Sequence, residues 1–415
     1  MRDFVLKGTF LDTPAVGELR CREGYAVCVD GVCAGVFDEL PEEYAALDVQ
    51  DLTGRLIIPG LTDLHLHAPQ YAFCGTAMDL QLIDWLNHYT YPEEKRYQDV
   101  EYARTAYSRL VSDMTRTATT RACVFGTIHT EATLELMRQL DEAGMVCYVG
   151  KVNMDRNCPE DYCDPSVELA VREERRWLDA CKFEHVKPIL TPRFTPAVSN
   201  AYMCALGILA QAYKVPVQSH LSENEAEIAW VKELCPNCET YADTYARYGL
   251  FGGDCPTVMA HCIYSDKKEK KLLHDKGVMI AHCPTSNVNV VAGIAPAAEY
   301  VRGGYRIGLG SDVAGGHTLN LFEVMRTAIQ LSKLRWLQNQ NGEKPLNIRE
   351  AFYMATAGGG SFFGKVGLFE EGYAFDAVVL NDGAQHFTPE QRLERYAYQG
   401  DGQPEAKWIE GRKVL

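Results

Sequence analysis

The sequence predicts an α/β chain: a (β/α)8, TIM-type barrel over residues 60–365, joined to a small β-sandwich-like domain built from both chain ends, 1–59 and 366–415. Three observations lead there. Eight short apolar segments alternate with helix-patterned ones, the element order of a parallel α/β protein, and eight is the barrel count. Both chain ends read instead as short strands. Metal-capable side chains also recur where five of the eight apolar segments end, and a barrel gathers its chemistry at the C-terminal ends of its strands.

Taken in order, Phe4–Phe10 and Tyr25–Cys33 read as strands, the second containing the hairpin signal Asp30-Gly31. Phe375–Leu380 and Lys407–Leu415 read likewise, and neither end is long enough for a core alone. The barrel strands are expected at 57–65, Thr119–Thr127, Met145–Val152, Val186–Thr191, Pro216–His220, Thr257–His261, Gly277–His282 and Arg306–Ser311. Helices are expected between them at Glu131–Ala143 and Glu225–Leu234, the latter opened by a capping box running from Ser222 to Glu225. The aromatic-rich stretch Pro69–Lys95 reads as a long loop with a short helical piece, suited to act as a lid.

Composition narrows the class. The chain has 415 residues, 47% hydrophobic and 23% charged, an ordinary globular balance with room for a large barrel and a smaller domain. Lys plus Arg is 41 against 56 for Asp plus Glu, a net charge of -15, which argues against nucleic acid or an anionic membrane as partner. No apolar run is long enough to span a bilayer, and Met1-Arg2-Asp3-Phe4 does not open a signal peptide. The 15 cysteines are irregularly spaced and odd in number, the pattern of reduced thiols in a cytoplasmic protein.

His65 and His67 close the first barrel segment, and on a strand residues two apart share a face. The pair alone leaves two readings open: buried, partner-bonded histidines, or two ligands of one metal ion. His220, His261, His282 and Asp312 then end later strands, and together they favour a metal site. Histidine with carboxylate suits one Zn2+ per subunit, with Fe2+ as the alternative.

The order HxH, His, His, Asp resembles the amidohydrolase superfamily. Narrower stretches are similar to its guanine deaminase family: His67-Ala68-Pro69-Gln70-Tyr71, the run from Asp84 to Pro92, and Thr127-Ile128-His129-Thr130. So are Pro188 to Phe194, Gln218 to Asn224, Ala281 to Asn287 and Gly310 to Gly316. The resemblance covers essentially the whole chain. It implies His65, His67, His220 and Asp312 as ligands of one zinc ion, which lowers the pKa of a water toward ~7. It also implies Asp312 as the base that takes the water's proton, with His261 orienting that water. Glu223 would protonate a ring nitrogen and later help deliver a proton to the leaving ammonia. If Ser222 caps a helix, Glu223 falls in its first turn, where the dipole favours the carboxylate.

The implied reaction is zinc-dependent hydrolysis of guanine to xanthine and ammonia, a step of purine catabolism, by a cytoplasmic homodimer. Arg193 would donate to the oxo group, Gln70 would pair with another polar edge, and Phe194 would contact the purine plane. The alternative is a related mononuclear enzyme acting on another aminated purine, a pterin or a triazine. Lys187 stands near the start of strand 4 and Arg193 after its end, so no lysine is placed to bridge a second metal.

Two positions depart from the family pattern: Ala118 and Cys262 each stand where a glycine is usual. A different deaminase class uses H-x-E followed by P-C-x-x-C. His129-Thr130-Glu131 and Cys235-Pro236-Asn237-Cys238 approach that pattern, but Leu234 replaces the proline and the strand-end histidines would go unexplained. Cys235 and Cys238 read as plain thiols near a helix end. His185, His274 and His386 read as surface or loop residues, while His88, His129, His282 and His317 are left without a role.

Overall fold

The computed structural model of the chain describes residues 3–80, 82–339, 343–383 and 386–415. Met1 and Arg2, Gln81 of the aromatic loop, and residues 384–385 of the C-terminal part lie outside the described residues.

Four strands open the chain: β1 (Phe4–Asp12), β2 (Arg20–Val29), β3 (Val32–Phe37) and β4 (Asp48–Pro59). β2 and β3 form a hairpin across Asp30 and Gly31, whose φ values of 49° and 78° are both positive, as a two-residue type I′ turn requires. β1 runs antiparallel to β2 and parallel to β4.

Ten strands follow: β5 (Leu61–His67), β6 (Thr119–Phe125), β7 (Val146–Gly150), β8 (Val152–Asn153), β9 (Val186–Pro188), β10 (Thr191–Pro192), β11 (Val217–Leu221), β12 (Thr257–His261), β13 (Met279–His282) and β14 (Ile307–Leu309). They pair in parallel as β5-β6-β7-β9, β8-β10 and β11-β12-β13-β14, with helices between them, a mixed α/β fold. A parallel bridge from Leu190 to Val217 links the first group to the third. The expected helices lie at Thr130–Glu142 and Glu225–Leu234.

The last strands are β15 (Ala377–Leu380), β16 (Ala406–Ile409) and β17 (Arg412–Lys413). They join the first four in one seven-stranded sheet of order β17-β16-β15-β4-β1-β2-β3. The two ends thus share one hydrogen-bonded sheet, which curls over its small core so that Phe4 of β1 stacks on Trp408 of β16 with ring centroids 6.1 Å apart. Strand alternation explains its packing. Phe10, Ile57, Ala377, Val379 and Trp408 face one small core, while their neighbours Leu11, Leu56, Ile58, Val378 and Leu380 pack into the main core.

Three expectations are corrected. The segment 57–65 is two strands, because the chain changes sheets at Gly60. A β carbon there would lie 2.2 Å from Thr120 Oγ1, so only glycine permits the approach. The helix Glu225–Leu234 is capped by Asn224, whose side chain accepts from the Glu227 N–H. Ser222 has a φ of 49° and donates its hydroxyl to Glu269 instead. Finally, Cys158 and Cys163 form a disulfide, brought together by a turn in which the Tyr162 N–H donates to Pro159 O (2.8 Å); Cys235, Cys238 and the other cysteines are free thiols. Among the described residues no helix is long and apolar enough to cross a membrane.

A buried ionic seam joins the sheet to the parallel strands. Arg121 on β6 donates to Asp376 (2.7 and 3.2 Å) and to Glu410 (3.1 Å). The Lys407 ammonium donates to the carbonyls of Thr117 (2.9 Å), Thr119 (3.0 Å) and Met114 (3.3 Å). Asp376→Ala leaves the Arg121 charge buried with one fewer partner, so it should destabilise the chain by about 3–5 kcal/mol. Urea denaturation of the variant checks this, and an unshifted midpoint would refute the seam's importance.

Candidate active site

Parallel strands present their C-terminal ends on one side, and the metal-capable residues gather there. His65 and His67 lie on one face of β5, His220 on β11, His261 at the end of β12, and Asp312 three residues past β14. His65 Nε2 lies 3.2 Å and His67 Nε2 3.5 Å from Asp312 Oδ1. His67 Nε2 lies 3.2 Å from His220 Nε2. Phe125, at the end of β6, packs against the rings of His65, His67 and His220 at 4.9, 4.5 and 5.1 Å.

Hydrogen bonds fix the direction of two imidazoles. His220 Nδ1 is 2.6 Å from Arg193 O, an acceptor, so Nδ1 carries the proton and Nε2 keeps its lone pair. His261 Nδ1 lies 2.8 Å from Asn287 Oδ1, and the same logic turns the Nε2 lone pair inward. That Nε2 lies 3.6 Å from Glu223 Oε2 and 3.7 Å from Asp312 Oδ2.

Burial shifts these groups. It drives the pKa of His67 and His220 well below the ordinary value, so both rings are neutral. Burial opposes ionisation of Asp312, but the neighbouring imidazoles, His65 first and then His261, outweigh it and hold that carboxyl far below its usual range. Glu223 goes the other way: burial, helped by the Asp312 charge, pushes it up to about 8. Because Glu223 precedes the cap Asn224, it lies outside the helix, and the expected first-turn placement is corrected. Two carboxyls in one cavity thus sit in opposite protonation states at neutral pH, the arrangement of an acid–base pair.

Nitrogen lone pairs aimed at one point beside a carboxylate are what a divalent cation satisfies. Neither ring nitrogen of His65, nor His261 Nε2, has a hydrogen-bond partner. Donor atoms of His65, His67 and Asp312 lie within 4.8 Å of one another, as do those of His65, His220 and His261. The donor set fits a divalent metal held by imidazole and carboxylate.

The same cavity carries the other residues singled out from the sequence. Gln70, Arg193, Phe194, His220, Glu223, His261 and Asp312 all line it, with His67 at its floor. His65 is fully buried beneath. Leu82, Trp85 and Leu86 of the lid stretch form one wall. That stretch folds as a 3-10 turn Ala68–Phe73, the helix Leu82–Trp85, a π-helical turn Leu86–Thr90 and the helix Tyr91–Arg96.

Other histidines stay apart. His317 is exposed and bonds Glu323 and Asn289. His282 is buried, and burial pulls its pKa down to about 3, with its Nδ1 unpartnered. His129 packs on Tyr162, and neither it nor Cys235 and Cys238 belongs to a metal-capable group among the described residues.

Several site residues escaped the sequence reading. Asp63 accepts from the N–H groups of Ser311 (2.9 Å) and His65 (3.2 Å). Glu227 accepts from the Glu223 N–H (3.0 Å) and from the Tyr241 hydroxyl (2.7 Å), and burial pushes it up to about 7. Glu94 binds both Gln70 and Arg193. Asn287 lies inside a family-like stretch; Glu94 lies in the run Glu93-Glu94-Lys95-Arg96 and Glu227 two residues after Glu225, where nothing local marks either as buried.

Residues 56–414 match the amidohydrolase family. The chain is 37% identical over 380 residues to the guanine deaminase of Rattus norvegicus, covering 87% of this chain and 83% of the relative. It is 36% identical over 350 residues to that of Escherichia coli (strain K12), covering 83% and 76%. A crystal structure of guanine deaminase from C. acetobutylicum with bound guanine in the active site superposes with a TM-score of 0.97 at 42% identity, over 100% of both chains. A triazine hydrolase from Arthobacter aurescens superposes with a TM-score of 0.87 at 18% identity, covering 100% of this chain and 95% of the other, a likeness of fold alone.

An ion that binds only the folded site stabilises it by mass action. Dialysis against a chelator should therefore lower the thermal midpoint, and added Zn2+ should restore it. His220→Ala should abolish that restoration. A midpoint that ignores chelator and metal alike would refute the metal site.

Proposed function

The chain belongs to the amidohydrolase family, and from that premise we propose that it is a guanine deaminase, hydrolysing guanine to xanthine and ammonia, a step of purine breakdown. The observation that carries this reading is one cavity holding two unlike surfaces. On one side are inward-facing imidazoles, an ionised Asp312 and a Glu223 pushed up to about 8. On the other are the Arg193 guanidinium and Gln70 amide, suited to the polar edge of a flat heterocycle. Relatives that are guanine deaminases, at 36–42% identity, support the substrate.

In this reading His65, His67, His220 and Asp312 hold one divalent ion, Zn2+ in our proposal and Fe2+ as the alternative. That ion supplies Lewis acidity, lowering the pKa of a water toward ~7. Asp312 Oδ2 takes a proton from the attacking water, and His261 Nε2 orients the water through its free lone pair. Glu223 is protonated at neutral pH. It donates to the ring nitrogen beside the carbon that carries the amine, which makes that carbon more electrophilic. The carbon gains oxygen from water and loses its amine: the proton from Glu223 stays on the ring nitrogen, one water proton leaves with the amine as ammonia, and the other returns through Asp312 to Glu223. Arg193 donates to the oxo group, Gln70 reads a neighbouring polar edge, and Phe194 contacts the ring plane.

The same reading extends to architecture. We take the parallel strands to close as a (β/α)8 barrel over 60–365, with 1–59 and 366–415 as the smaller domain. Backbone bonds support it: the Asp312 N–H donates to His65 O (2.8 Å) and the His67 N–H to Val313 O (2.7 Å), bringing the last strand against the first. We take the enzyme to be a cytoplasmic homodimer. The exposed Leu334, Trp336 and Leu337 of the helix Leu321–Asn339 offer apolar surface for a second copy to cover.

Ammonia release over a panel of purines, pterins and triazines tests the substrate. Guanine should turn over fastest, and faster release from adenine, a pterin or a triazine would overturn the assignment. Glu223→Gln should lower kcat by at least about 10²-fold while metal content stays at the wild-type level. Retained turnover would refute its role as the acid.

A further inference from the structure

Glu94 touches none of the imidazoles, yet the base-reading groups converge on it. It is fully buried, on the short helix Tyr91–Arg96 of the lid stretch. Arg193 grips it end-on, Nη1 to Oε2 at 2.6 Å and Nη2 to Oε1 at 3.2 Å. Gln70 Nε2 donates to Oε1 at 2.7 Å, and the Tyr162 hydroxyl donates to Oε2 at 2.9 Å. The Arg193 guanidinium also lies over the Tyr91 ring, 5.1 Å from its centroid.

We propose that Glu94, braced by Tyr162, is the positioning residue that sets the base-reading edge of this pocket and matches it to a neutral oxo-purine. This rests on the guanine reading above. The argument has two parts. An ionised carboxylate only accepts, so it forces the Gln70 amide to turn Nε2 toward it. Gln70 Oε1 then faces the Ala314 N–H at 3.3 Å. A group at position 94 that both donates and accepts would remove the shorter of the two contacts that orient the amide, leaving the 3.3 Å contact from the Ala314 N–H to hold it.

The second part concerns charge. A buried guanidinium without a counter-ion attracts anions. Paired end-on with Glu94 it is neutral as a unit, while its Nε donor and one donor on each Nη stay free. That leaves hydrogen-bond donors for an uncharged carbonyl oxygen. Because Glu94 belongs to the lid stretch, the reading edge is complete only when that segment is packed down.

The test compares guanine with 2-aminopurine, which lacks the oxo group. Steady-state kcat and KM for guanine, and the inhibition constant of 2-aminopurine against guanine turnover, are measured for wild type, Glu94→Gln and Tyr162→Phe at equal metal content. Glu94→Gln should lower kcat/KM for guanine by roughly 10²-fold, mostly through KM. The 2-aminopurine inhibition constant should move by less than about threefold, because that ligand has no oxo group for Arg193 to bind. Tyr162→Phe should shift the same ratio in the same direction by a smaller factor. It decides the matter if Glu94→Gln fails to fold. A merely structural role would weaken both ligands alike, and an unchanged ratio in a folded variant overturns the proposal. A wild-type protein inert toward guanine would instead overturn the substrate reading on which it rests.

Discussion

The site depends first on one buried carboxylate that does no chemistry. Asp63 lies inside β5 and accepts from the backbone of both Ser311 and His65. Burial pushes its pKa up to about 6, but those two N–H groups pull against that rise. The clamp sits where β5 meets the segment after β14, with no regular ladder between them among the described strands. With Asp63 holding both sides, the Asp312 N–H reaches His65 O and the His67 N–H reaches Val313 O. A one-residue slip would turn both histidines of the HxH pair to the other face. Gly310 belongs to the same constraint, since a β carbon there would stand 2.8 Å from Cys283 Sγ and 2.9 Å from His65 Cβ.

A second coupling runs through Arg193. Its carbonyl accepts from His220 Nδ1, and its guanidinium binds Glu94. One residue thus fixes the tautomer of an inward-facing imidazole and, in the proposed reading, presents donors to the substrate. The Tyr245 hydroxyl donates to His220 O (3.0 Å) and lies 2.9 Å from the Ser219 hydroxyl, holding β11 from behind. The imidazole cluster and the Arg193–Glu94 pair are therefore coupled, and a displacement of the helix Tyr91–Arg96 would reach His220 through Glu94 and the Arg193 backbone.

Much of this was legible in the sequence because it follows from periodicity. Residues two apart on a strand share a face, so His65 and His67 announced a common target, and His220, His261 and Asp312 announced themselves as polar residues closing apolar segments. The hairpin at Asp30-Gly31 was legible for a similar reason, since few residue pairs accept two positive φ values. What stayed hidden depended on contacts distant in sequence. Glu94 lies 99 residues from Arg193, and its helix reads Tyr-Pro-Glu-Glu-Lys-Arg, the look of a solvated turn. Glu227 stands among the charges of an exposed-looking helix. The change of sheet at Gly60 was hidden because both strands it separates are apolar, so only the crowding against Thr120 reveals the break. The Ser222 capping pattern misled because Asn224 offers a competing cap, and the chain needs Ser222 in the left-handed region.

That conformation is part of a wider pattern. Ser222, His261, Cys262 and Asp312 all adopt positive φ, at 49°, 75°, 48° and 48°. For residues with a β carbon such angles are costly, and they persist only where the surroundings over-determine them. Here they cluster at the ends of β11 and β12 and just past β14, where the chain must turn from strand to loop while pointing a side chain back into the cavity. Cys262 is the telling case, because it carries a β carbon and still takes the glycine-like angle. Its N–H donates to Leu221 O (2.9 Å), its carbonyl accepts from the Tyr300 hydroxyl (2.7 Å), and its thiol is wholly buried. Those bonds come from two different elements, so the neighbourhood imposes the turn and the residue conforms. The same logic makes His261 a rigid group: a strained backbone on one side and Asn287 on the other hold its imidazole with Nε2 turned into the cavity.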